Sequence, residues 1–409
     1  MSARLAASIL LSTVLLSACS RLGSDLPVML YMAIAIDQDS AIETEVQADF
    51  RRRVQLAFSD FRKVEPNVRF QIALYKQDDL VEELRRRNVS DLGPDLVITG
   101  AKDSKELLMS GLTETLPIKI FKRHQTEESL WQWVELEDGR IAAQPFVIFP
   151  QIACFNREIV QEPPTTLKAL LQQGADGTRV GLSVDLSEVL WTAGSLGALP
   201  SFATLDRGKT ISAVDTELIL SWLSWLERAG SQQNITFYQN QAQLENLLNE
   251  GELDWVSCNS NSLLRLRSSM GDKLGVSQLP KGAAGDPSPV NNVRVMALGA
   301  NSSKRQRQAA IKMMRYITQP MVQRKLSLRS KIYLPVNPTV SLPIGSSETL
   351  STLIQSRDNS TQYRSSLAQI AHHTKLDDDD ALGIVPLVFG ASSPRSSLES
   401  LIKFLKSEK

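Results

Sequence analysis

Apolar runs of strand length alternate with amphipathic helical stretches from residue 27 to residue 111, and this alternation narrows the chain to architectures built on parallel strands. Residues 27–36 (PVMLYMAIAI) are continuously apolar with β-branched and aromatic members, the pattern of a strand covered on both faces. Asp37-Gln38-Asp39-Ser40 supplies cap and turn chemistry, and an amphipathic segment from Glu43 to Val64 ends near Pro66. Val68–Tyr75 reads as a second strand and Asp78–Arg87 as a helix broken by Gly93-Pro94. Asp95–Thr99 follows as a third strand, and Ser104–Ser110 as a helix closed by Gly111. Such β-α-β succession predicts a mostly parallel sheet.

The remainder continues in mixed fashion. Val147–Asn156 reads as one strand-like stretch containing Cys154, and Pro163-Pro164-Thr165-Thr166 opens a helix. Val180–Val184 is strand-like, Leu186–Leu199 helical, and the helical patterns 215–229 and 241–249 precede a strand at 253–258. A Gly- and Pro-rich loop over 280–289 leads to a strand at 293–298 and a helix at 304–318. At roughly 150 residues per domain, 409 residues predict two or three domains or one large bilobed unit. The 45 basic and 45 acidic residues balance, which argues against a nucleic-acid partner. Arg51-Arg52-Arg53 and Arg85-Arg86-Arg87 have acidic neighbours in helical patterns and read as solvated faces.

The amino terminus reads as an address. One positive residue, an apolar run from Leu5 to Leu16 and Ser17-Ala18 before Cys19 make a signal peptide over residues 1–18. The run is shorter than the roughly 20 residues a membrane span needs. Leu16-Ser17-Ala18-Cys19 closely resembles the bacterial lipobox, which implies a lipidated Cys19, a tether over 19–25 and a palmitate-type membrane anchor. No later segment has 18 uninterrupted apolar residues, so the mature body is expected to be soluble and tethered, facing the periplasm or the cell surface. Three cysteines exclude a disulfide-stapled scaffold. Cys154 and Cys258 are either paired in an oxidising compartment or buried as thiols.

Several landmarks fall in the order seen in one known family. Phe61-Arg62-Lys63-Val64-Glu65-Pro66-Asn67-Val68 is similar to a helix-to-strand turn, and Pro94–Ile98 with Leu107–Leu116 to a strand and the helix after it. Gly139–Pro145, Cys154-Phe155-Asn156-Arg157 and Pro164–Leu167 follow, then Gly251–Trp255, Ser277–Pro280, Ala309–Tyr316 and Leu334-Pro335-Val336-Asn337. Together these resemble the family 1 extracellular solute-binding proteins, the receptors of bacterial ABC importers, over nearly the whole mature chain. The resemblance implies an α/β, two-lobed periplasmic-binding-protein fold (type II-like) with a ligand cleft between lobes joined by a crossover hinge. It places lobe 1 at 26–144 and 279–338 and lobe 2 at 145–278 and 339–409, with crossings near Gln144-Pro145 and Pro280. It also implies a small-molecule solute, a membrane permease as partner, a monomeric chain, and no cofactor or catalytic residue.

Ligands of open α/β sheets bind outside the carboxyl ends of strands. That rule selects Asp37 and Gln38, Gly100 with Lys102, and Asn259 from the sequence pattern alone. The resemblance adds Gln144 and Phe146 at the hinge and Asn291, Asn292 and Arg294 on the returning segment. Val290–Val293 and Asn259-Ser260-Asn261 depart from the family pattern at cleft positions, which puts the usual ligand in doubt. An uncharged polyhydroxy solute, a sugar or polyol, is the preferred expectation.

Aromatics are a second ingredient of such sites. Trp222 and Trp225 sit at helical spacing among leucines and read as core. Trp131 and Trp133 read as loop or packing residues near a surface. Trp191 reads as ligand platform or core, and Trp255 lies in a strand whose face the alternation does not settle.

Rival chemistry has thinner support. Gly194-Ser195 lacks the strand a nucleophile elbow requires. Gly208-Lys209-Thr210 lacks the first P-loop glycine. His372-His373 with Asp377–Asp380 reads as a solvated loop rather than a metal site. A lipoprotein of the same fold serving as a sensor partner or assembly factor would carry the same sequence signature.

Overall fold

A computed structural model describes residues 26–36, 54, 58–206, 210–361 and 383–407. The expected signal peptide, the expected tether with Cys19, Asp37, Gln38, most of the 43–64 segment, Gly208-Lys209 and the His372–Asp380 region lie outside the described residues.

In chain order, β1 (Val28–Ile36) is followed by α1 (Phe61–Val64), β2 (Val68–Lys76), α2 (Leu80–Val89), β3 (Leu96–Gly100), α3 (Ala101–Met109) and β4 (Thr113–Glu114). Then come β5 (Gln144–Phe149), β6 (Gln151–Asn156), α4 (Leu167–Ala175), β7 (Val180–Ser183), α5 (Leu186–Val189) and α6 (Trp191–Ser195). α7 (Ala213–Gly230), β8 (Ile235–Tyr238), α8 (Gln241–Glu250), β9 (Trp255–Asn259) and β10 (Leu274–Ser277) complete the middle of the chain. β11 (Asn292–Gly299), α9 (Lys304–Ile317), β12 (Leu334–Pro335) and α10 (Glu348–Asn359) follow.

The described residues divide into two compact units. The first takes the described residues within Met1–Thr99, Leu107–Thr115 and Met296–Tyr316, the second those within Gly100–Glu106, Leu116–Val295 and Ile317–Lys409.

In the first unit β1 lies between β2 and β3 and is parallel to both, in register from Val28↔Val68 to Ile36↔Lys76 and from Met32↔Leu96. A central strand is shielded on both faces, which is why β1 reads as an unbroken apolar run and is buried from Met32 to Ile36. β2 is the edge strand; most of its residues keep some exposure, and it carries Arg69, Gln71 and Lys76. On the other side β3 adjoins β11, whose end pairs antiparallel with β4 at Leu298↔Glu114. Asp95, 2% exposed, ties this layer together: its carboxylate accepts from Tyr31 N, Ser302 Oγ and Gln306 Nε2. Gly299 fits against this turn because it has no side chain; a Cβ there would run into the Pro94 carbonyl.

The second unit is built on a five-stranded sheet in the order β10-β6-β9-β7-β8. β7 is parallel to β8 and β9, while β6 runs antiparallel to β9 and β10. α7 begins at a capping box between Ser212 and Asp215 and packs Trp222, Leu223, Trp225 and Leu226 inward. The Trp222 ring meets Phe202 edge-on at 5.8 Å, and its indole N–H donates to Thr192 Oγ1 at 2.9 Å. Trp222 and Trp225 are thus core, as their spacing predicts.

Three sequence readings change. Val147–Asn156 is two strands, because Pro150 lacks an N–H and interrupts the run; β5 pairs with β12, and β6 enters the five-stranded sheet. Trp131 and Trp133 are buried rather than near a surface, at 0% and 7% exposure, and the Arg123 guanidinium sits 5.5 Å from the centre of the Trp131 ring. The 186–199 stretch is not one helix but α5 and α6, with a further helix at Leu199–Asp206.

Cys154 and Cys258 form a disulfide between β6 and β9, spanning 104 residues of sequence, and both are fully buried. A cross-link of that span restricts the unfolded chain strongly. Replacing both cysteines by alanine is expected to cost about 2–5 kcal/mol of unfolding free energy, read as a lowered denaturation midpoint in urea. An unchanged midpoint would show that the bond is not formed in the native protein.

Candidate functional site

Because β7, β8 and β9 are parallel, their carboxyl ends, Ser183, Tyr238 and Asn259, lie on one edge of the sheet. Antiparallel β6 begins at the same edge, with Gln151 opposite Asn259. This edge gathers polar groups, whereas β7 and β9 behind it are apolar apart from Ser257.

Gln151 is the hub. Its N–H donates to Asn291 Oδ1 at 3.2 Å, and its amide donates to the Glu188 carbonyl at 2.6 Å. Its Oε1 accepts from Val290 N at 3.2 Å, and its carbonyl accepts from Ser356 Oγ at 2.5 Å. One side chain and its backbone thereby join β6 to α5, to the segment entering β11 and to α10. Asn291, 8% exposed, completes its own bonding through Ser360 Oγ at 2.8 Å. Asn259 donates from its backbone to Glu245 Oε1 at 3.2 Å, and its Oδ1 accepts from Asn261 N. Glu245 is in turn paired with Arg265 at 3.2 Å.

Three carboxylates approach this edge. Asp185 caps α5 by accepting from Ser187 N and Glu188 N. Glu188 accepts from Gln241 N at 2.6 Å. Burial, reinforced by the Asp185 and Glu245 charges, pushes the Glu188 carboxyl up to about 8, against the pull of its bonds to Ser183 and Gln241. A carboxyl held protonated at neutral pH can donate as well as accept. Ser257 Oγ, Ser260 Oγ and Gln241 Nε2 are buried with no protein partner.

Of the residues selected from sequence, Asn259 and Asn291 fall within this network. Asn292 is exposed and Arg294 half-buried on β11, next in sequence to Asn291. Gln144, 2% exposed, is occupied internally, donating to Thr126 Oγ1 and the Pro145 carbonyl, both at 2.8 Å. Phe146 is half-buried on β5, and its carbonyl accepts from Gln323 Nε2 at 2.7 Å. Gly100 ends β3 beneath the Asp103 carboxylate, and Lys102 lies in the first turn of α3. Trp191 and Trp255 are 0% exposed, with protein packed against both ring faces and no partner for either indole N–H. Gln151 and Glu188 were not among the sequence candidates; Gln151 follows Pro150 directly, and that break is the only local mark of its position.

A sequence profile for bacterial extracellular solute-binding proteins matches residues 57–352. The chain belongs to that family. This solute-binding protein also has close structural counterparts. The GacH receptor of Streptomyces glaucescens, solved unliganded and with acarbose, superposes with a TM-score of 0.71 at 16% identity, covering 94% of this chain and 100% of the other. A Thermotoga lettingae ABC-transporter solute-binding protein bound to α-D-tagatose gives 0.66 at 14% identity, covering 92% and 99%. The maltose/maltodextrin-binding domain of Bdellovibrio bacteriovorus, bound to maltotriose, gives 0.61 at 15% identity, covering 93% and 99%. No curated protein sequence matches. At these identities the likeness is one of fold: α/β, two-lobed and of the periplasmic-binding-protein type. Family membership makes this an exported solute-binding protein, and no helix among the described residues is long and apolar enough to cross a membrane.

A groove of about 610 Å³ lies on the solute-binding protein's second unit, lined by Phe155, Arg157, Thr165, Gln278, Lys281 and Asn359 among others. Its lining residue Phe155 is four residues along β6 from Gln151, about 13 Å at strand rise, whereas Gln355 and Asn359 adjoin Ser356 and Ser360 of the strand-end network.

The Glu188 shift has a pH signature. Between pH 4.5 and about 8 the folded protein holds a proton that the unfolded chain has released, so stability falls as pH rises through that window and levels off above it. The slope attributable to Glu188 is at most about 1.4 kcal/mol per pH unit. Glu188→Gln is expected to flatten it, leaving stability at pH 4 near wild type and raising it at pH 9. Parallel curves for the two proteins would remove Glu188 as their source.

Proposed function

We propose that this chain is the sugar- or polyol-capturing receptor of an ABC importer, exported and held at the membrane by a lipidated Cys19. The strand-end network of the second unit carries the reading. Beside the Asp185 carboxylate that caps α5 and the Glu245–Arg265 pair, its groups are amides, hydroxyls and the protonated Glu188 carboxyl, each able to donate and accept as a sugar hydroxyl does. Cationic side chains of the kind that select carboxylates or phosphates do not dominate it. Ser260 Oγ and Gln241 Nε2, buried without protein partners, are the groups we assign to the solute. Asn259 stands beside Ser260 in sequence, Asn292 follows Asn291 of the network at the start of β11, and Gln151 holds the frame. Gly100, Lys102 and Arg294, with Asp37 and Gln38, complete the proposed set by the strand-end rule and the family resemblance.

Capture by closure of two lobes is the switching mode available to this fold, and the permease would read the closed form. The structural relatives hold acarbose, tagatose and maltotriose, which supports a carbohydrate for this chain. Capture without turnover agrees with the surroundings of Ser195. It lies buried in α6, with its Oγ 3.1 Å from the Pro280 carbonyl and 3.3 Å from that of Trp191, far from the exposed strand-to-helix turn a nucleophile needs. The buried disulfide suits an oxidising compartment.

Thermal unfolding of the mature protein against a panel of mono- and oligosaccharides, polyols, amino acids and anions tests this reading. A solute at 100 times its Kd should add about 2.7 kcal/mol of stability, and the response should come from the carbohydrate arm. Ser260→Ala should weaken the responding sugar about fivefold, the loss of one hydrogen bond. A shift produced by amino acids or anions alone would discard the carbohydrate assignment, and no shift with any solute would discard the receptor.

A further inference from the structure

Among the described residues of the first unit, the six exposed large apolar side chains gather at one end of it: Leu26, Met29, Val64, Val89, Leu92 and Met109, between 46% and 84% exposed. Topology puts them there. β1, β2 and β3 are parallel, so the segments entering them, near Leu26, Val64 and Leu92, share the amino edge of the sheet. α2 and α3 each start after a strand's carboxyl end and return, finishing at Val89 and Met109 on that same edge. Hydrogen bonds hold the group together. Asn301 Nδ2 donates to the Asn88 carbonyl, and Asn88 Nδ2 to that of Leu112. Gln306 Nε2 donates to the Met29 carbonyl and Arg305 to that of Leu26. Single exposed apolar residues need no explanation, but six confined to one edge mark a contact surface.

Cations outnumber unpaired acids among the described residues at this edge. Arg62, Arg69 and Lys304 are exposed there. Of the nearby acids, Asp60 pairs with Lys63, Glu65 with Lys312 and Glu114 with Arg307, Asp95 is buried, and Asp91 is exposed with its carboxylate accepting from Asn301 Nδ2. α9 begins at Lys304 with no acidic residue in its first turn, adding the positive end of its dipole to those cations. Leu26 is seven residues from Cys19, a reach of at most about 25 Å even fully extended.

We infer that the amino edge of the first unit is a lipid-docking face, resting its apolar side chains and cations on an anionic membrane surface beside the anchor. The inference rests on the proposed lipidation of Cys19. Interfacial binding of this kind adds apolar insertion to attraction for anionic headgroups. The carboxyl edge of the same sheet then points away from the bilayer.

Vesicle-bound protein labelled with an environment-sensitive fluorophore tests the face, and a second measurement tests the anchor. The chain from residue 20 onward, carrying an amino-terminal hexahistidine tag, is bound to protein-free vesicles of phosphatidylglycerol and phosphatidylethanolamine containing a nickel-chelating lipid, so attachment does not require acylation. Single labels are placed at Leu92→Cys or Met109→Cys, with Val214→Cys and Phe389→Cys in the second unit as controls; Cys154 and Cys258 are buried in their disulfide. Labels at 92 and 109 should shift to the blue and be quenched by lipid-borne quencher, while the controls stay aqueous. The response should fall severalfold on phosphatidylcholine vesicles and with Arg62→Glu plus Lys304→Glu. Labels at 92 and 109 that stay aqueous on vesicles overturn the docking face. A concentration-dependent shift without vesicles also overturns it, in favour of a second copy of the chain. Mass spectrometry of the protein from native membranes reports Cys19 separately: an unmodified cysteine removes the anchor without altering what the vesicles show about the face.

Discussion

The parallel register of β1 with β2 and β3 is the constraint on which the first unit depends. Once Val28 is opposite Val68 and Met32 opposite Leu96, every turn that enters a strand lies on one edge and every turn that leaves lies on the other. Asp95 secures the entering edge by drawing a β1 amide, Ser302 and Gln306 onto one buried carboxylate. Burial raises its pKa despite three hydrogen bonds that act the other way. A carboxylate kept there in spite of that cost fixes which segments meet, and Gly299 lets the end of β11 close against it. The leaving edge, where Thr99 Oγ1 accepts from Gln77 Nε2 at 3.2 Å, is therefore built independently of the face that carries the exposed apolar residues.

The second unit solves a different problem with the same geometry. Its central strands β7 and β9 are buried along their whole length, so polar chemistry can be placed only where they end. There the groups are cross-braced: Gln151 uses its backbone and both ends of its amide, and Asn291 uses both ends of its own. Bracing of this kind positions the neighbouring Ser260 and Gln241, whose own side-chain atoms remain without protein partners. Buried networks rigidify when they are satisfied and are costly when they are not, which explains why the frame residues and the proposed solute contacts are different residues. The Cys154–Cys258 bond ties β6 to β9 just behind that frame.

Much of the fold could be read from periodicity. The apolar run at 27–36, the turn at Gly93-Pro94 and the helical patterns at 215–229 and 304–318 all correspond to elements with nearly those limits. Period and turn chemistry are local properties, so local sequence reports them. The site was less legible. Asn259 could be selected because it ends a strand, but Gln151 and Glu188 become polar hubs only through partners 37 to 205 residues away in sequence. The Cys154–Cys258 pairing likewise needed the 5.8 Å Cα separation that strand register supplies. Trp191 and Trp255 show the limit most sharply: a helix or strand position says which face a ring shares with its neighbours, not whether protein already covers that face.

Those two rings bear on what kind of recognition this chain can offer. An aromatic platform contributes by presenting an uncovered face to an apolar patch of the solute, and in the second unit Trp131, Trp191, Trp222 and Trp255 have no uncovered face to present. Their area is already spent on packing the interior. On the proposed reading, selectivity in this unit rests on hydrogen bonds at the strand ends rather than on these rings. A site built that way discriminates by the number and direction of hydroxyl groups: an analogue lacking one leaves a buried protein group unpaired, at a cost of about 1–3 kcal/mol. An apolar surplus on the solute gains little there. The chemistry that makes the strand ends polar therefore also makes them exacting.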